Sequence, residues 1–318
     1  MRPDHAITGA QSGATRAVPP KRKRRPVILV FGSINIDLLV PVPLLPQPGE
    51  TVLGGDYALL PGGKGANQAL AACRAGAAVT MAGAVGDDSF AGLALQSLRA
   101  DGVDLGLVRH VDRPTGCAAI MVGAEGENLI AVASGANRTA AAASVPDSML
   151  GPETIVVCQM EVPAVENWAL IRRARAAGAR VVLNLAPAAP IDPALFTEID
   201  ILVANEGEAA ALGADPAALA RRLRQALVVT SGSAGSSAFL ADGGRIDTPA
   251  LVIEPIDTTG AGDTFVGVLA AGLDRRLALT AALRQASAAA GLACLAHGAQ
   301  AAMPDRAAIE AAVARLPG

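Results

Sequence analysis

Apolar residues in this chain fall in short unbroken blocks separated by stretches of helical periodicity. The first block, Val27-Ile28-Leu29-Val30-Phe31, is closed by Gly32-Ser33. A run with no polar alternation fits a strand buried on both faces of a parallel sheet. The pattern then predicts a helix over 65–75, a strand over 79–84 and an amphipathic helix over 89–100 capped by Ser89. A strand over 155–158, a helix over 165–177 and strands over 180–185 and 201–204 follow. Two short helices precede a strand over 227–230, and Ala-rich helices over 263–273, 277–295 and 306–315 close the chain. Repeated strand–helix alternation implies an α/β fold with a parallel sheet and helices on both faces.

Two stretches, 36–60 and 113–133, break this rhythm. They read as short alternating strands with Gly and Pro turns, among them 117–122 and 128–132, with no helix between. The expectation is a small antiparallel sheet separate from the main one, placed as a flap over the carboxyl edge of the parallel strands.

Composition narrows the function classes. The 318 residues are 52% hydrophobic and only 2% aromatic, so the core is built from Ala, Leu, Val and Ile. So few aromatics argue against base-stacking platforms for single-stranded nucleic acid. The net charge of −3 argues against a nucleic-acid binder of the whole-protein kind. Residues 1–26 carry seven Lys/Arg and one Asp, ending in the run Lys21-Arg22-Lys23-Arg24-Arg25. With their Gly, Ser, Thr and Pro content, residues 1–25 read as a disordered basic tail ahead of one domain over 26–318. The tail lacks the apolar segment of a secretory signal. The longest uncharged stretch, 285–304, is too polar to span a membrane. Cys73, Cys117, Cys158 and Cys294 show no C-x-x-C spacing, and scattered thiols fit a cytoplasmic protein.

Three segments carry candidate chemistry. Asp257-Thr258-Thr259-Gly260-Ala261-Gly262-Asp263 stands just before a predicted helix. Its glycines allow backbone N–H groups to converge, and a helix N-terminus adds positive partial charge. An ionised Asp263 beside such an anion cradle is what phosphoryl transfer needs: a proton acceptor for the attacking hydroxyl and donors for the moving charge. Taken alone, the segment is equally a Gly-rich turn with a capping Asp. Pro61-Gly62-Gly63-Lys64-Gly65-Ala66-Asn67-Gln68 lacks Walker A spacing, but Lys64 and Asn67 would face a ligand from the first turn of a helix. Asn35 and Asp37 lie two apart in an extended segment and so share a face, where an amide and a carboxylate can bind adjacent sugar hydroxyls.

Together these segments resemble the ribokinase/PfkB family of carbohydrate kinases. The resemblance rests on Gly62-Gly63-Lys64-Gly65-Ala66-Asn67 and on the segment from Asp257 to Asp263, in that order, and runs over 27–318. It is strongest toward the family's ribose kinases, through Gly32-Ser33-Ile34-Asn35, Pro48-Gly49-Glu50-Thr51, Gly126-Glu127-Asn128, Gly135-Ala136-Asn137 and Gly298-Ala299-Gln300. It implies a central, mostly parallel sheet flanked by helices, with a small β lid through which two copies pair as a homodimer. It implies ATP-dependent phosphorylation of D-ribose at O5, with Mg²⁺ beside the phosphates and K⁺ as a monovalent activator. Fructose, 2-keto-3-deoxygluconate and deoxyribose remain open as sugars, as does a non-catalytic sugar sensor.

The resemblance also implies site residues. Asn35, Asp37, Gly63, Lys64, Asn67 and Glu161 match sugar-binding positions. Asn205 and Glu208 match the family's N-x-x-E motif, which supports Mg²⁺ and the phosphates. Thr230, Ser231, Gly232, Ser233, Ala234 and Gly235 match the nucleotide loop, with Ser287 near the adenine. Gly260, Ala261 and Gly262 match the anion hole, and Asp263 the catalytic base, with Gly262 and Asp263 also facing ATP. Asp257, Thr259, Ala293, Ala296, Gly298 and Ala302 match the K⁺ ligands, several through carbonyls; Ala302 stands where ribose kinases often carry Ser.

Overall fold

The computed structural model describes residues 27–317. The tail expected over 1–25 lies outside the described residues.

The chain alternates as the apolar blocks predict. It begins with strands β1 (Val27–Phe31), β2 (Asn35–Pro41) and β3 (Ala58–Gly62), helix α1 (Lys64–Arg74) and strand β4 (Val79–Gly86). Helices α2 (Ser89–Ala94) and α3 (Gln96–Ala100) lead to β5 (Asp104–Val111), β6 (Gly116–Val122) and β7 (Asn128–Ala133). Then come β8 (Thr154–Cys158), α4 (Ala164–Ala176), β9 (Arg180–Asn184), β10 (Ile201–Asn205), α5 (Glu206–Ala211) and α6 (Pro216–Ala220). Strands β11 (Ala226–Thr230), β12 (Ser236–Leu240) and β13 (Arg245–Thr248) precede helices α7 (Ala261–Asp274), α8 (Leu279–Ala293) and α9 (Arg306–Val313).

Among the described residues nine strands form the main sheet, in the order β13-β12-β11-β10-β9-β8-β1-β4-β5. It is parallel from β11 to β5, and β12 and β13 add an antiparallel edge. The central strands are buried on both faces, which is why β1 and β8 read as unbroken apolar runs. Leu70, Val266 and Leu269 fill the layer on one face; Leu170, Ile171 and Phe196 fill the other. Strand order reverses around β1, with β4 on one side and β8 on the other. In open α/β sheets a reversal of this kind opens a crevice at the carboxyl ends of the strands.

The second sheet has the order β3-β2-β6-β7. It departs from the expected antiparallel arrangement in one pairing: β2 and β6 run parallel, from Asn35 opposite Gly116 to Pro41 opposite Val122. Both strands leave the main sheet in the same direction, β2 after β1 and β6 after β5, and so must lie parallel. The helix expected over 89–100 is two short helices broken at Leu95. Its cap is Asp88, whose carboxylate accepts from Phe90 N and Ala91 N, and not Ser89.

Candidate functional site

The turn between β1 and β2 packs directly on the start of α1. Gly63 sits at φ 89°, and a Cβ there would lie 2.7 Å from Asn35 N. The glycines of this segment therefore let the chain approach itself. The contact brings Glu161, in the loop after β8, onto both partners. Its Oε2 accepts from Ser33 Oγ (2.5 Å) and from Lys64 N (3.1 Å). Asp37 stands nearby, half-buried. Burial, then the charges of Glu161 and Asp263, push its carboxyl up to about 7, against the pull of Lys64. The Lys64 ammonium is raised in turn, chiefly by Asp263. Asn35 and Glu161 line a cleft of about 390 Å³ with Asn137, Met160, Pro163 and Pro187.

The start of α7 forms a wall of a second, smaller cleft. Gly260 caps the helix in the left-handed conformation (φ 76°), and a Cβ there would lie 2.7 Å from the Cβ of Ala299. Only glycine suits both demands. The N–H of Ala261 turns to Thr258 O (3.2 Å), and Thr264 N returns to Gly260 O. The N–H groups of Gly262 and Asp263, in the first turn, have no partner within the helix. A Cβ on Gly262 would meet open space. Asp263 is 7% exposed; its Oδ2 accepts from Asn67 Nδ2 and its Oδ1 from Gln68 Nε2, both at 2.9 Å.

That cleft, of about 140 Å³, joins this wall to the ends of β10 and β11; Lys64, Asn205, Glu208, Thr230, Gly262 and Asp263 all line it. Asn205 and Glu208 also form a capping box on α5: Glu208 Oε2 accepts from Asn205 N, and Asn205 Oδ1 from Glu208 N, both at 2.8 Å. One spacing thus starts the helix and faces two oxygen-bearing side chains to the cleft. Past β11, residues 231–235 form a compact turn, with Ser231 N on Gly235 O and with Gly232, Ser233 and Ala234 exposed. Ser287 is buried on α8, donates to Pro249 O (2.6 Å) and does not line the 140 Å³ cleft.

Behind Gly260, the segment 293–302 is tied to the loop before α7. Asp257 Oδ2 accepts from Gly298 N (2.8 Å), its Oδ1 from Thr259 N (2.9 Å), and Cys294 O accepts from Ile256 N. Burial raises the Asp257 carboxyl, but bonds from Thr259 and Gly298 outweigh it, and the net shift is downward. Thr259, Ala296, Gly298 and Ala302 lie on these two segments; the Ala293 side chain is in the core, so only its carbonyl can serve a ligand. Hard oxygen donors of this kind suit a group I or group II cation.

The structure therefore gathers Asn35 and Glu161 on one cleft, with Asp37 near them, and Asn205, Glu208, Thr230 and Asp263 on the other, which Lys64 also lines while its N–H reaches Glu161. Asn67 stands apart from that reading. Its Oδ1 accepts from Gln300 Nε2 (3.0 Å) while its Nδ2 holds Asp263, leaving one N–H for a ligand. Sequence reasoning gave no role to Gln68, Asn137, Gln159, Asn184 or Gln300, although Gln68, Asn137 and Gln300 stand in segments it singled out. Among the described residues no helix is long and apolar enough to cross a membrane. A larger cleft of about 610 Å³, lined by Glu153, Arg180 and Asp274, opens at the other edge of the sheet and holds none of the three motifs.

A carboxylate in the first turn of a helix, an adjoining N–H cradle and a crevice at the sheet's switch point define an α/β phosphotransferase. The chain belongs to the pfkB family of carbohydrate kinases, whose model matches residues 26–306. It is 37% identical over 288 residues to the ribokinase of Bacillus subtilis, covering 89% of this chain and 98% of that protein. It is 31% identical to the ribokinase of Mus musculus, covering 90% and 94%. Among solved structures it is similar to Arabidopsis thaliana ribokinase complexed with ribose and ATP, with a TM-score of 0.82, 31% identity and coverage of 92% and 99%. The Thermotoga maritima ribokinase gives a TM-score of 0.84 at 28% identity, covering 91% and 99%.

Proposed function

We propose that this chain transfers the γ-phosphoryl group of ATP to O5 of D-ribose, giving D-ribose 5-phosphate and ADP. The observation that carries the reading is the placement of Asp263. It lines the cleft of Lys64, Asn205, Glu208 and Thr230, and its charge reaches Asp37 on the sugar side.

In this reading Asn35, Asp37, Gly63, Lys64, Asn67 and Glu161 bind sugar hydroxyls. Asp263 accepts the proton of the 5-hydroxyl as that oxygen attacks phosphorus. The N–H groups at Gly260 and Gly262 receive the charge spreading over the transferred group, and that of Ala261 joins them on leaving Thr258 O. Lys64, held protonated by its acidic neighbours, offsets that charge from the other side. Residues 230–235 and Ser287 face the nucleotide. Asn205 and Glu208 would support a divalent cation, Mg²⁺, and the phosphates, Glu208 acting on the cation indirectly; when bound the cation neutralises the phosphate oxygens. Asp257 with the carbonyls of Thr259, Ala293, Ala296, Gly298 and Ala302 would hold K⁺. The second sheet acts as a lid that excludes water, and two copies pair through it. The four cysteines are free thiols, which suits a reducing, cytoplasmic setting.

The test is ADP release from ATP over a panel of D-ribose, D-fructose, 2-deoxy-D-ribose and 2-keto-3-deoxygluconate. D-Ribose is expected to give the highest kcat/KM. A higher value for another sugar moves the specificity within the family, and no release with any sugar makes the protein a sensor.

A further inference from the structure

Asp263 is the end point of two chains of buried carboxamides. On one side Gln68 donates to Asp263 Oδ1, and Gln68 Oε1 accepts from Gln159 Nε2 at 2.8 Å. On the other Asn67 donates to Asp263 Oδ2, and Asn67 Oδ1 accepts from Gln300 Nε2 at 3.0 Å. Gln68 Nε2 also reaches Asn184 Oδ1 at 3.0 Å, which fixes its second N–H. All five amides are buried, Gln68 and Gln159 completely. Gly267, one turn along α7, makes the approach possible: a Cβ there would lie 2.5 Å from Gln68 O.

The direction of these bonds follows from the charge at their centre. An ionised carboxylate only accepts, so Asn67 and Gln68 must turn their NH₂ groups toward it. Each then presents its oxygen outward, and Gln159 and Gln300 must donate in their turn. The outermost oxygens, Gln159 Oε1 and Gln300 Oε1, are buried and, among the described residues, have no hydrogen-bond partner. Reversing either terminal amide would bring oxygen against oxygen at Gln68 or Asn67. The two unpaired oxygens are thus the cost of turning the NH₂ ends of Asn67, Gln68, Gln159 and Gln300 toward Asp263, a cost that a purely structural network would not need to carry.

We propose that Gln68 and Gln159 are positioning residues for Asp263: together they fix the rotation of its carboxylate so that one oxygen faces the attacking hydroxyl. The proposal rests on Asp263 being the base. Neither glutamine lines the sugar cleft or the phosphate cleft, so their removal should lower kcat and spare KM.

Steady-state rates with D-ribose and ATP test this in Gln68→Leu, Gln159→Leu, Asp263→Asn and the two double variants. Misplacement of a reacting group costs about 10²-fold, so Gln68→Leu is expected to lower kcat by about ten- to a hundred-fold, with both KM values within about two-fold. Added to Asp263→Asn, it should cause no further loss, because its effect runs through that carboxylate. Losses that multiply, or a change confined to KM, overturn the proposal. If Gln68→Leu does not fold, Gln159→Leu carries the same comparison, since it removes only the bond that directs the Gln68 amide. Wild-type turnover in Asp263→Asn overturns the base assignment itself. An inactive Asp263→Asn beside fully active glutamine variants overturns the positioning role alone.

Discussion

Asn137 holds Asn35 from 102 residues away: its Nδ2 donates to Asn35 Oδ1 at 2.7 Å, and its Oδ1 accepts from Ile34 N at 2.9 Å. Asn137 is 1% exposed, in a 3₁₀ turn after the lid strand β7. The lid therefore meets the main sheet at a side chain expected to bind sugar. Asn137→Ala would strand the Ile34 N–H and free the Asn35 amide to rotate. The expected cost is about 1–3 kcal/mol of stability, read as a lower Tm. The ribose KM should rise by about ten-fold, the equivalent of about 1.4 kcal/mol, with ATP affinity little changed. An unchanged ribose KM would detach Asn137 from the sugar site.

The monovalent cation is predicted from Asp257. Its carboxylate joins the loop before α7 to the segment at Gly298, and the cradle at Gly260 packs on Ala299 of that segment. A cation bridging the two segments would stiffen the N–H groups that receive the phosphoryl charge. Initial rates should rise with KCl at fixed ionic strength, balanced with NaCl or a tetramethylammonium salt. Asp257→Ala should abolish that dependence. Equal rates in all three salts would remove K⁺ from the reaction.

Much of this was legible in the chain, for physical reasons that differ by element. Strand β1 could be read because burial on both faces demands an unbroken apolar run. Strand β5, at a sheet edge with Asp104, Arg109 and His110 in it, has no such signature, and the β12–β13 hairpin is short and half-exposed. The motif glycines and Asp263 were readable because a left-handed cap and an anion cradle need those residue types at that spacing. Gln68, Gln159 and Gln300 were not. Uncharged amides in turns and helix starts have no periodicity, and their partners exist only once α1, α7 and the loop after β8 have met. Gln159 still left one signal: a polar residue directly after the apolar run ending at Cys158.

Pairing through the lid is predicted from the surface of β7. All six of its residues are exposed, with Leu129 at 47%, Ile130 at 52% and Val132 at 50%. An edge strand carrying large apolar side chains invites a second sheet. The protein should sediment as a dimer, and Ile130→Asp should give a monomer that keeps its fold. A wild-type monomer at micromolar concentration would end the proposal.

The pH dependence of sugar binding follows from Asp37. Burial, Glu161 and Asp263 lift its carboxyl from 3.8 to about 7 in the free protein. The ionised form accepts with both oxygens and full charge, whereas the protonated form turns one oxygen into a donor, so the form that binds ribose tightly follows loss of that proton. The ribose KM should be flat above pH 8 and rise as pH falls through 7, by about ten-fold at pH 6. The sign for stability is opposite to that of a paired carboxylate. Between 3.8 and about 7 the folded chain keeps a proton that the unfolded chain has released, so raising the pH across this window weakens the fold. Asp37→Asn, which cannot ionise, should therefore raise the Tm of the ligand-free protein at pH 8 and change it little at pH 4. The same variant should bind ribose weakly at every pH, with no inflection near 7. The measurements are ribose KM from pH 5.5 to 9 and thermal unfolding at both ends of the range. An inflection that survives in Asp37→Asn would assign the titration to another group of the site.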